Sequence, residues 1–160
     1  MGLDLHPARP SETDEEREDY GDWYHAPDWP SPQWSYGGFH RFRQRLANHE
    51  GFDLDRMAGF SGNTADRLDG YSLLADAEVP GRDWSEVTTD LVPLLDHSDC
   101  DGELDSAACW SVYPRLEQVM DEWAARPDPD GGWQYDIQNG RALVEAMKKC
   151  AFENLTLVFR

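Results

Sequence analysis

The sequence predicts a mainly α chain with a minor β part (α+β): four or five helices around an aromatic core, and a small sheet pairing N- and C-terminal strands. Three observations predict it. Apolar residues recur at three- and four-residue spacing over residues 35–49, 84–96, 106–123 and 133–154, the period of a helix with one buried face. Seven Trp, six Tyr and six Phe, in a chain that is 39% hydrophobic, supply large areas for burial. The two ends carry strand patterns, Leu3 and Leu5 alternating with Asp4, and the apolar LTLVFR run at 155–160. At 160 residues the length is that of one domain, 1–160.

Within it, residues 7–34 form an acidic, Pro/Trp-rich extended segment. Its first half gathers Glu12, Asp14, Glu15, Glu16, Glu18, Asp19 and Asp22 around Arg17, a solvated charge run. Its second half spaces Pro27, Pro30 and Pro32 too closely for a helix. Trp23, Tyr24, Trp29 and Trp34 are interleaved there, and two roles are open to them: covering the core, or contacting a partner.

The helix over 35–49 buries Phe39, Phe42 and Leu46, is capped by Ser35 and ends at Gly51; Arg41, Arg43 and Arg45 fall mostly on other faces as a local basic patch that pairs with the acidic remainder, anion binding being the alternative. Residues 52–70 read as a glycine-rich connection with one helical turn, 71–77 as a short element of either type, and Pro80-Gly81 as a turn. A helix is expected over 84–96 with Val87, Leu91, Leu94 and Leu95 inward and Pro93 as an irregularity. The next, over 106–123, carries Cys109, Val112, Leu116, Val119, Met120 and Trp123 on one stripe, and Pro114 is expected to split it. RPDPDGG is a loop, and the last helix, 133–154, turns Ile137, Leu143, Val144, Met147 and Ala151 inward.

The formal net charge is -18, from 32 acidic and 14 basic residues. A field of that sign repels nucleic acid and anionic membranes and attracts cations or a basic protein surface; plain solvation of the domain is the alternative. No direct nucleic-acid binding and no membrane association are expected. Three cysteines without a CxxC spacing support neither a zinc ribbon nor a disulfide scaffold. With no basic-then-apolar start, a cytoplasmic setting is expected. All basic residues but Lys148 and Lys149 are Arg, a bias that fits a high-GC genome.

The segment His97-Ser98-Asp99-Cys100-Asp101-Gly102-Glu103-Leu104 is the one with a readable chemical proposal. Setting Gly102 at position six of an EF-hand-like loop puts Asp99 at three, Asp101 at five, Glu103 at seven and Asp105 at nine. His97 at position one and Ala108 at position twelve depart from that pattern, and an imidazole there suits a transition metal better than calcium. The candidate ligands are His97, Asp99, Asp101, Glu103 and Asp105, for a divalent cation such as Ca, Mg, Mn or Zn. The competing reading is a helix-to-helix turn, with Gly102 at positive φ and Asp105 or Ser106 capping the next helix. Nucleophile-elbow, dinucleotide, P-loop and HExxH patterns are absent, so no catalytic residue is assigned.

The MGLDLH start, SYGGFHRFRQRLA, LLDHSDCDGEL and the LTLVFR ending resemble a family of small uncharacterised actinobacterial and phage proteins with an MGLD start and an HSDCDGEL motif. The chain departs from that family in a longer, more acidic stretch between His6 and Trp34 and in DSAAC after Leu104, where an acidic pair is expected. The family brings no established activity; its setting implies host–phage conflict or regulation. The leading expectation is a non-enzymatic acidic protein engaging a basic host protein. A metal-dependent enzyme or sensor centred on the HSDCDGEL loop and a small-ligand sequestering protein are the alternatives.

Overall fold

The two ends of the chain come together in a small sheet. In this computed structural model, which describes residues 2–10, 28–60, 81–98, 102–128 and 131–160, Leu5–Ala8 (β2) pairs antiparallel with Thr156–Phe159 (β5), Leu5 opposite Phe159. All four residues of each strand are buried, which is why Leu157, Val158 and Phe159 run on as apolar residues without alternation. The expected N-terminal strand is divided in two. Gly2–Leu3 (β1) pairs with Trp34–Ser35 (β3). Between β1 and β2, Asp4 exchanges backbone hydrogen bonds with Arg160 (2.7 and 3.0 Å).

A third strand, Gly102–Leu104 (β4), lies on the other edge of β5, giving the order β2-β5-β4. It falls inside the acidic loop, whose composition carries no strand signal. What fixes it is the partner: β5 offers an open edge and β4 takes it, Leu104 opposite Leu157. Local propensity is overridden by tertiary pairing.

Four α-helices are present among the described residues. Tyr36–His49 (α1) begins as expected: Ser35 has extended backbone and its Oγ accepts from the Gly38 N–H at 3.0 Å. Phe39, Phe42 and Leu46 are fully buried, and Gly51, at φ 90°, turns the chain out of the helix. The expected helix over 84–96 is instead a 3₁₀ turn at Trp84–Glu86 and a four-residue helix, Val92–Leu95 (α2). Pro93 sits in the first turn of α2, where its missing N–H is harmless but through which no helix from upstream can run. Leu91, Leu94 and Leu95 are nonetheless fully buried.

Ser106–Ala124 (α3) is one helix, with Pro114 inside it. Pro114 is exposed, away from the buried stripe of Cys109, Val112, Leu116, Val119, Met120 and Trp123. The ring needs no room in the core, and burial on both sides of it holds the helix together. Trp133–Glu153 (α4) packs against α3 more extensively than any other pair of elements. It stops at Asn154, in left-handed conformation (φ 55°), a short polar residue that tolerates this region, and the chain passes directly into β5. Rings of Trp34, Phe39, Phe42, Phe159, Trp123 and Trp133 run through the core in contact. No helix among the described residues is long and apolar enough to cross a membrane.

Candidate functional site

Of the five candidate metal ligands, Asp99 and Asp101 lie outside the described residues, as does Cys100. The other three have distinct placements. His97 packs its ring against Phe39 and Phe159, centroids 6.2 and 4.8 Å apart. Its Nδ1 is 2.7 Å from the Ser98 carbonyl, so that nitrogen carries the proton and donates. Glu103 is an exposed β4 residue. Asp105 is the N-cap of α3, its Oδ1 accepting from the Ala108 N–H at 2.7 Å. The described residues bring no three His, Cys, Asp or Glu side chains together as a cation cluster. Gly102 departs from the turn reading, which expected a positive φ there, as well as from an EF-hand. It is not at positive φ but in the β4 ladder opposite Phe159, and its lack of a Cβ serves close packing, since a Cβ there would lie 2.6 Å from His97 Nδ1.

The entry to this loop is held by a residue the sequence placed on a surface patch. Arg43 is fully buried. Its Nη1 donates to the carbonyls of Leu95 (3.3 Å) and His97 (2.7 Å), and its guanidinium lies 5.0 Å from the Phe39 ring centroid and 5.4 Å from that of Phe60. Arg45 pairs with the buried Asp136 carboxylate of α4. Arg45 thus meets the expected pairing with an acidic residue, whereas Arg43 leaves the expected patch because it is buried against carbonyls.

Trp23 and Tyr24 lie outside the described residues. Trp29 and Trp34, 7% and 2% exposed, belong to the core-covering role. Trp29 Nε1 donates to the Leu5 carbonyl at 3.1 Å, and Trp34 stacks on Phe42 at 4.7 Å. The Gln33 N–H donates to Asn139 Oδ1 of α4 at 2.8 Å. Proline keeps this stretch extended, and its polar atoms fasten it across the helices.

Among the described residues, two exposed aromatic rings meet elsewhere. Trp110 of α3 and Phe152 of α4 are 43% and 67% exposed, with centroids 4.6 Å apart, edge to face. Tyr113 extends the cluster, 5.7 Å from Trp110. Trp110 is not free to swing, because its Nε1–H donates to the Ala151 carbonyl at 3.0 Å in the last turn of α4, where helix carbonyls lack partners of their own. The chain's only two lysines flank the cluster, each gripped by two carboxylates: Lys148 by Glu117 and Glu145 (2.6 and 3.1 Å), Lys149 by Asp28 and Glu153 (2.6 and 3.3 Å). The hydrogen bonds to Glu117 and to Asp28 hold the two ammonium groups above the usual lysine range. The rim of the cluster thus keeps a surplus of negative charge. A sequence signal existed: Trp110 and Phe152 both fall off the apolar stripes of their helices.

Several described groups with catalytic potential are held by neighbours. His49 Nε2 meets Glu122 Oε2 at 2.7 Å and its Nδ1 accepts from Trp123 Nε1–H at 3.2 Å. Both ring nitrogens are committed, so the pair resembles a base with its orienting carboxylate but has no lone pair for a substrate proton. Asp55 holds His40 Nε2 at 3.0 Å and Gln44 Nε2 at 2.6 Å. Cys109 and Cys150 are buried free thiols; the hydrogen bond to Cys109, with burial, pushes the Cys150 thiol far up, the opposite of an activated nucleophile. No family model, curated protein or solved structure matches the chain.

Proposed function

We propose that this chain is a small acidic binding protein that engages a basic protein surface. The observation that carries the reading is the exposed aromatic cluster of α3 and α4 with its acidic rim, in a chain of net charge -18. Exposed aromatic rings supply contact area and the surrounding carboxylates supply steering and sign selectivity. The sequence resemblance to actinobacterial and phage proteins supports a host factor as the partner, with inhibition or regulation in the cytoplasm as the outcome. The contact surface of this reading lies on α3 and α4 and leaves out Trp29 and Trp34, which are buried.

Binding of a deca-arginine peptide, measured by isothermal titration calorimetry at about 0.15 M salt, tests it. Glu145→Lys with Glu153→Lys should weaken binding about 10-fold or more, each lost contact being worth roughly 1 kcal/mol. Glu86→Lys with Asp90→Lys, at exposed residues outside α3 and α4, changes the net charge equally and should have a far smaller effect. Equal effects of the two pairs, or no binding by the wild type, would remove the basis of the reading.

A further inference from the structure

We infer that the Trp110 ring is a seat for an arginine side chain of the partner, with Phe152 as its wall. The inference rests on the reading of the chain as an acidic binding protein and adds which side chain is recognised and where. Four features carry it.

Indole is the strongest cation-binding ring among side chains, and arginine stacks on it through a planar guanidinium. Trp110 is 43% exposed, yet its orientation is fixed by the hydrogen bond to Ala151, so little side-chain entropy is lost when a ligand stacks on it. Phe152 is 67% exposed and meets Trp110 at 70°, forming one wall of a corner rather than a flat patch. The neighbouring ring already faces a cation: the Lys148 ammonium is 5.8 Å from the Tyr113 centroid. Finally, Glu117, Glu145, Glu153 and Asp28 outnumber the two lysines they hold. An entering guanidinium therefore meets carboxylates in surplus. The same surplus acts against a second copy of this chain, whose identical face would bring like charge to like.

Paired titrations with deca-arginine and deca-lysine test the seat, because both peptides satisfy the charge and only one carries guanidinium. The wild type should bind deca-arginine about 10-fold more tightly than deca-lysine. Phe152→Ala and Trp110→Leu should each reduce that preference to about 2-fold or less while leaving deca-lysine affinity within about 2-fold. Trp110→Phe, which keeps a ring but not the N–H, should retain part of the preference. Circular dichroism confirms that each variant is folded, and Phe152→Ala, which loses no hydrogen bond, stands if Trp110→Leu is unstable. Equal wild-type affinity for the two peptides, or a preference that survives both substitutions, overturns the seat while leaving the acidic-binder reading intact. Failure to bind either peptide overturns both. Reversible dimerisation abolished by Phe152→Glu, seen by sedimentation, would make the occupant a second copy and also overturn it.

Discussion

Arg43→Met separates a structural arginine from a decorative one. The guanidinium is fully buried and joins α1 to the carbonyls of Leu95 and His97 at the C-terminal end of α2. Methionine fills much of the same volume but donates nothing, so two acceptors lose a charge-assisted bond. A buried acceptor left without its donor costs about 1–3 kcal/mol, and loss of the contacts with Phe39 and Phe60 adds up to about 2 kcal/mol. Against this, the substitution removes the penalty of keeping a cation out of water, which is several kcal/mol. The balance is a loss of about 3 kcal/mol, which for a chain of this length lowers the melting temperature by roughly 6–12 °C. Arg43→Lys should recover only part of it, because an ammonium can donate to the carbonyls that Nη1 meets but has no planar guanidinium to lie against the Phe39 and Phe60 rings. Urea unfolding followed by circular dichroism, with the slope unchanged, reads the free energy directly. A variant as stable as the wild type, or more so, would refute the reasoning and return Arg43 to a packing role in which its charge is a burden.

Three further outcomes are expected. Gly102→Val should destabilise by about 1–3 kcal/mol in urea unfolding, because the new Cβ meets the His97 ring at 2.6 Å, whereas an exposed turn would accept it. The His49 hydrogen bond holds the Glu122 carboxyl below its ordinary value of 4.5. A depressed carboxyl contributes stability above the unfolded value and loses it as pH falls through the folded one. Glu122→Gln should therefore flatten the acid limb of the stability profile below about pH 4.5, visible in thermal melts across pH. Cys109 and Cys150 should resist iodoacetamide in native buffer and react after denaturation, as peptide mass spectrometry reports, since both are buried and the Cys150 thiol is held protonated.

Much of the scaffold was legible in the sequence. Ser35 with Phe39, Phe42 and Leu46 announced α1, the stripes of α3 and α4 were read correctly, and the apolar LTLVFR ending pairs with an N-terminal strand, β2, as expected. What escaped depends on neighbours far along the chain. Gly102–Leu104 is a strand because β5 has an edge to fill. Arg43 is internal because α2 ends beside it with carbonyls to satisfy. Pro114 leaves α3 whole because it faces outward. The site was less legible. Aromatic residues in a proline-rich stretch drew attention to Trp29 and Trp34, which are core, while Trp110 and Phe152, unremarkable in their helices, come together only when α3 packs on α4.

The most direct test of the binding face is a ¹H–¹⁵N titration of the folded protein with deca-arginine, following the indole resonances of its seven tryptophans. The Trp110 indole, with the amides of Tyr113, Glu145 and Phe152, should shift in a saturable manner, and the buried indoles of Trp34 and Trp123 should stay in place. Shifts confined to another surface, or spread evenly over every acidic residue with Trp110 unmoved, would contradict a binding face on α3 and α4.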